Sequence, residues 1–258
     1  MRHLLLLSMA VLVCSAAGVA QGGQAGAPSA TVAPSFDPRD LSGFWLGRNR
    51  ALALSDQPPP RTPWGEAKFN SYKPSYGPRA IPPALGNDPV GNCDPLGIPR
   101  LLVFENNPWD VEFIQTGDRM LQLFDRPYMH RIIWTDGRQP PEDLEPRWMG
   151  YAVGTWEGDT FVVTSTGFDE RTWLDHFGNP HSDEMRLEER YRRVKHDTIE
   201  FVITLTDPKT YTKPWVSDTK VLTRQDIKEF PDELICVPSE EQAFNRRLRD
   251  PAGGVTPK

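Results

Sequence analysis

Past its first twenty residues the 258-residue chain lacks any apolar run approaching the ~20 residues of a membrane-spanning helix, so the mature protein is expected in solution. It also lacks a basic excess: 29 Lys and Arg face 35 Asp and Glu, a formal net charge of −6. That balance argues against a nucleic acid or an anionic membrane as partner, because such binders neutralise phosphates with clustered cations. The one dense basic stretch, Arg190 to Lys195, adjoins Glu188 and Glu189 and includes Tyr191, and it reads as a paired strand face. Cysteine is scarce, three residues in all, which excludes a disulfide-stapled miniprotein. No Gly-rich phosphate loop, dinucleotide fingerprint or G-x-S-x-G elbow occurs, and Ser182 beside His181 is no triad by adjacency. Long helical patterns never alternate with strands, so a parallel α/β fold is disfavoured.

What the chain does have is enough apolar and aromatic residue for a core, 38% hydrophobic with eight Trp, and an unusual 26 Pro. One domain is expected after processing. Arg2, the apolar run Leu4 to Val13 and the small residues Gly18-Val19-Ala20 make residues 1–20 an expected signal peptide, cleaved before Gln21. A lipoprotein anchored at Cys14 is the alternative, although Val13 stands where a lipobox wants Gly, Ala or Ser. Residues 21–38 read as a flexible leader, 39–99 as a first strand plus a Pro-rich covering segment, 100–238 as the barrel core and 239–258 as a tail. The expected location is periplasmic or extracellular. There, Cys93 and Cys236 are expected to form a disulfide rather than a metal site, with two free thiols as the alternative.

Dense Pro from Pro58 to Pro99 prevents a long helix or a central strand. One short helix is expected from Pro63 to about Tyr72, with Thr62 as its N-cap. From Arg100 onward short apolar runs recur about every ten residues between turn signals, the pattern of an antiparallel sandwich or barrel. The expected strands are Leu101–Phe104, Val111–Gln115, Met120–Phe124, Tyr128–Trp134, Tyr151–Trp156, Phe161–Thr166, Met185–Val194, Ile199–Thr206 and Val216–Thr223. Tight polar links at Thr116–Arg119, Glu157–Thr160 and Lys195–Thr198 fit hairpins.

The stretch from Trp156 to Ser182 is crowded with large polar and aromatic side chains. It contains Trp156-Glu157-Gly158-Asp159-Thr160, Gly167-Phe168, Arg171-Thr172-Trp173-Leu174-Asp175 and Gly178-Asn179-Pro180-His181-Ser182. In this order the chain resembles a family of secreted bacterial proteins with W-E-G-D-T, G-F, R-T-W-L-D and G-x-P-H-S motifs, over about Leu41 to Cys236. The resemblance implies a shared architecture and pocket, and no reaction. Gly43-Phe44-Trp45 also resembles the G-x-W signature of lipocalin-like barrels, in which the Trp packs across the closed end.

Asp175 and His181, six residues apart in one loop, are candidates for a base with its orienting carboxylate; the alternative is a histidine that satisfies a turn. If Met185–Val194 is a strand, Glu189 shares its face with Leu187 and Tyr191, so its carboxylate is either paired, for instance with Arg131 or Arg171, or catalytic. His130 is flanked on its face by Tyr128, Ile132 and Trp134. A metal set would draw on His130, His176, His181 and Glu184, without the helical spacing of the zinc-protease motif; no cofactor is expected. Among the tryptophans, Trp173 and Trp134 are candidates for lining a pocket, and the others for packing.

The expected fold is all-β, a single antiparallel barrel or strongly curved sheet of eight to ten strands, lipocalin-like, covered by the Pro-rich segment. The leading expectation is an exported protein that binds a small apolar or aromatic molecule through Arg171, Trp173, Arg131, Trp134, His130 and Tyr128. The alternatives are cofactor-free acid/base catalysis (a lyase, isomerase or hydrolase) by His181, Asp175 and Glu189, and a protein-interaction module of the envelope.

Overall fold

Alternation of apolar and polar residues decides most of the architecture. In a computed structural model, residues 35–47, 53–103, 109–124, 129–226 and 235–255 are described. Ten strands follow in order: β1 (Gly43–Gly47), β2 (Trp109–Gln115), β3 (Arg119–Phe124), β4 (Met129–Trp134), β5 (Tyr151–Glu157), β6 (Thr160–Thr166), β7 (Arg186–Lys195), β8 (Thr198–Thr206), β9 (Trp215–Val216) and β10 (Lys220–Gln225). Neighbours in sequence pair from β1 to β8, and β10 joins both β8 and β1, which closes a nine-stranded barrel. The short β9 adds to the end of β8.

Inward positions recur at every second residue, as the period of two requires, and most of them are apolar. Ile199, Phe201, Ile203 and Leu205 of β8 are buried, and so are Met120 and Phe124 of β3 and Leu187 and Tyr191 of β7. Gly154 on β5 has a packing reason: a Cβ there would overlap the Phe161 ring. Trp45 of β1 is buried, its Nε1 donates to the Leu41 carbonyl at 2.8 Å, and the Arg193 and Arg224 guanidinium groups lie 5.5 and 5.8 Å from its ring.

Three expectations need correction. Leu101–Phe104 was expected as a strand, but Arg100–Val103 forms a one-turn helix, α2, after α1 (Pro63–Ser71). All four of its residues are buried, and a short apolar run without alternation does not distinguish the two structures. Val216–Thr223 is two strands, because Ser217 accepts the Ile203 N–H on Oγ and donates to the Asp218 carbonyl, turning the chain between β9 and β10. The sheet is also not wholly antiparallel: β4 and β5 run parallel, because the connection 135–150 returns the chain to the end where β4 began. The start of the expected strand at Tyr128 lies outside the described residues, as do the signal peptide, the leader up to residue 34 and Phe104.

The Pro-rich segment holds α1, capped by Thr62 Oγ1 accepting from the Gly65 N–H at 3.1 Å, and short 3-10 turns at Pro83–Leu85 and Pro89–Asn92. It meets the loops after β6 and β8: the Thr62 N–H donates to the Thr210 carbonyl, and Tyr72 stacks on Trp173. The expected tail, 239–258, contains helix: α3 (Pro238–Phe244), a π turn (Asn245–Arg249) and α4 (Asp250–Ala252). Cys93 and Cys236 are bonded, with their Cα atoms 5.5 Å apart. No helix among the described residues is long and apolar enough to cross a membrane.

Candidate functional site

The predicted constellation divides among three places. The first is the barrel interior. Glu189 of β7 and Arg131 of β4 project from apolar faces and form a two-pronged ion pair, Arg131 Nη2 to Glu189 Oε1 at 2.7 Å and Nη1 to Oε2 at 2.9 Å. The side chains are 1% and 0% exposed. Around them runs a closed circuit. Arg131 also donates to Gln122 Oε1 at 3.1 Å and Ser165 Oγ at 2.7 Å, the Gln122 amide donates to the Tyr191 hydroxyl at 3.3 Å, and that hydroxyl donates to Glu189 at 2.7 Å.

Burial works against the Arg131 charge, but the Glu189 carboxylate outweighs it and leaves the guanidinium more firmly protonated than usual. Burial, reinforced by Glu189, pushes the Tyr191 phenol well up, so it remains a donor. Of the polar atoms in this circuit, Arg131 Nε has no hydrogen-bond partner among the described residues. Within the circuit the Tyr191 ring stacks on Phe201 at 5.0 Å and meets Phe113 edge-on at 5.7 Å.

The second place is the buried loop layer beyond β6. His181 is fully buried and Nδ1 faces the Ser182 carbonyl at 3.0 Å, so Nδ1 carries the proton and Nε2 accepts from the Thr172 hydroxyl at 2.6 Å. Burial lowers its pKa, which keeps the ring neutral. Asp175 does not orient it. That carboxylate accepts from the Phe177 N–H (2.9 Å), the Asn179 N–H (3.2 Å) and Asn179 Nδ2 (2.7 Å), holding its own turn closed. Burial raises Asp175 to about 6, against the lowering effect of these bonds.

The expected pairing fails because the backbone N–H groups of a tight loop are nearer claimants than an imidazole six residues away. Asp207 plays the corresponding part for the next loop, accepting from the Ser182 N–H and Oγ and from Thr210 N–H and Oγ1. Trp173 is buried, its ring stacked on Tyr72 with centroids 4.7 Å apart. His176 lies between Tyr76 and Arg100, whose guanidinium grips Asp88 at 2.7 and 2.9 Å.

The third place is the outer surface. Arg171 is 61% exposed, paired with Asp169 and laid over Trp148 at 4.3 Å. Trp134 is flanked by Arg119 at 4.4 Å and Arg138 at 3.5 Å, each Arg held by its own Asp. His130 is exposed on β4, and Tyr128 lies outside the described residues. Arg171, Trp134 and His130 therefore share no pocket with Arg131. Among the described residues no group of three His, Cys, Asp or Glu is placed to hold a metal, so His130, His176, His181 and Glu184 do not converge.

Sequence reasoning passed over Gln122, Ser165 and Thr172. Gln122 was detectable as the polar residue between Met120 and Phe124 on an apolar face, and Ser165 likewise follows Phe161 and Val163 at the period of two. Thr172 stands in the Arg171–Asp175 motif, but nothing there marked its hydroxyl as a partner of His181. Comparison with protein-family models, with curated proteins and with solved structures gives no match, so the geometry of Arg131, Glu189 and their neighbours carries the functional argument.

Proposed function

We propose that the protein is an exported binder of a small apolar or aromatic molecule, held in the barrel and anchored on Arg131. The observation that carries this reading is the unpartnered Nε of the buried Arg131 guanidinium, in a circuit whose Tyr191 ring packs on Phe201 and Phe113. An orphaned buried donor costs about 1–3 kcal/mol, which a ligand acceptor would return. Glu189 already balances the guanidinium charge, so an anionic ligand would bring a second negative charge into an apolar interior. The ligand is therefore neutral, an aromatic or apolar molecule with one carbonyl, ether or hydroxyl oxygen. The disulfide and the signal-like first twenty residues support a periplasmic or extracellular location. The net charge of −6 supports a partner other than nucleic acid.

The test is to titrate the mature protein with neutral aromatic ketones and the matching carboxylates, following tryptophan fluorescence. Saturable one-to-one binding of a ketone, weaker for its carboxylate and lost in the Arg131→Met/Glu189→Leu pair, is expected. Binding that survives the paired substitution, or no binding to any of them, contradicts the reading.

A second reading rests on the Thr172–His181 contact at 2.6 Å, which has the form of a hydroxyl held by a base. In it the protein is a cofactor-free acid/base enzyme that uses His181 with Thr172 instead of Asp175. Turnover that His181→Gln abolishes while ligand affinity stays intact would favour it over the binder.

A further inference from the structure

The C-terminal arm has two unlike faces. Its inner face is fastened: Asn245 is buried and donates to the Gly91 carbonyl at 3.3 Å, Gly253 packs on Ala84, and Cys236 is bonded to Cys93 just before α3. Its outer face is apolar and open, with Phe244 50% and Leu248 59% exposed. Ser239, Glu240, Ala243, Phe244, Arg247 and Leu248 line one concavity of about 570 Å³ along this face. Ile235 and Val237, on either side of Cys236 in the chain, are exposed as well.

The order of those six residues is self-complementary. Each of the pairs Ser239 and Leu248, Glu240 and Arg247, and Ala243 and Phe244 is equidistant from the midpoint between residues 243 and 244. A copy of the stripe turned end for end therefore sets a large residue against a small one at the centre and an acid against a base on either side. Within one chain Glu240 and Arg247 are two helical turns apart, about 10 Å along the axis, too far to pair with each other. Neither makes an ion pair among the described residues.

We infer that this face is a self-association surface, on which a second copy of the chain packs antiparallel about a twofold axis at Ala243 and Phe244. Phe244 of each copy covers Ala243 of the other, and two Glu240–Arg247 pairs flank the contact. A twofold contact is made by the same patch on both subunits, which is the symmetry the stripe carries. One helix face with its flanking apolar residues is smaller than the ~1,200–2,000 Å² of a stable dimer, so the association is weak and concentration-dependent.

Sedimentation velocity of the mature protein, over a concentration series up to about 1 mM, tests this. The expected result is a monomer–dimer equilibrium that Phe244→Glu weakens about tenfold or more. Glu240→Arg and Arg247→Glu should each weaken it, and the double substitution E240R/R247E should restore it, since each pair re-forms with its signs exchanged. All three positions face solvent in one chain, and circular dichroism of each variant checks that the fold is kept. A monomer at every concentration overturns the inference, including a monomer that binds lipid vesicles or another protein through Phe244. So does a dimer indifferent to Phe244→Glu, or a double substitution no better than the singles.

Discussion

Two opposite charges held inside an apolar barrel lose several kcal/mol each in hydration before their attraction is counted. Glu189 and Arg131 carry that cost. Substituting Glu189 alone with Leu leaves a buried cation unpaired and should lower stability by about 3–5 kcal/mol in equilibrium urea unfolding. Replacing both, as Arg131→Met with Glu189→Leu, should recover most of the loss. A double variant as unstable as the single would show that the surrounding circuit matters more than the pair. Asp175 and His181 predict opposite pH dependences. Asp175 is raised in the fold, so its stabilising contribution is complete below its unfolded pKa near 4 and is lost as pH rises through about 6. The advantage of the parent protein over Asp175→Asn should grow by up to about 3 kcal/mol between pH 7 and pH 4. His181 is lowered, so its contribution is present above its unfolded pKa near 6.5 and is lost as pH falls through the folded value. His181→Gln should narrow the stability difference between pH 7 and pH 4. Glu189 could be singled out from the sequence because strand alternation places it between Leu187 and Tyr191. The fate of Asp175 and His181 could not, because spacing in a loop does not say which backbone groups claim a side chain first.

The short helix α1 was legible to within a residue because its signals are local: Thr62 caps it and Pro63 fits its first turn. Its packing was not. Gly65 sits against the loop after β8, and a Cβ there would overlap the Thr210 carbonyl oxygen. Gly65→Ala should therefore destabilise the protein in thermal unfolding, although the same change in an open helix stabilises by about 1 kcal/mol. A gain in stability would show that α1 can draw away from that loop. The hairpins at Thr116–Arg119, Glu157–Thr160 and Lys195–Thr198 were equally local and join the strands expected of them. Misread elements depend on distant partners. The buried run at Leu101–Val103 has no alternation to separate helix from strand. The break at Ser217 depends on a hydrogen bond from Ile203 on β8, and the parallel pairing of β4 with β5 depends on where a connection without a repeating pattern delivers the chain.

The disulfide closes a separation of 143 residues between the Pro-rich segment and the C-terminal arm. Loop closure on that length predicts that Cys93→Ser with Cys236→Ser costs roughly 2–5 kcal/mol, measured by chemical unfolding of the oxidised parent against the variant. A change under 1 kcal/mol would mean that the arm is held by its other contacts, such as Asn245 to Gly91. The closed barrel followed from strand spacing, since a run of short strands leaves few ways to remove its edges. The split of the expected site into an interior pair, a buried loop layer and an outer surface did not, because each residue was assigned by type and chain position alone. The interior pair remains the centre of the functional account. The decisive measurement is native mass spectrometry of the protein purified from its own host, before and after denaturation. One neutral small molecule should be released per barrel, and none from the Arg131→Met/Glu189→Leu protein prepared in the same way. An empty parent protein that also takes up no neutral aromatic ligand would contradict that account and leave Arg131 and Glu189 as a structural pair.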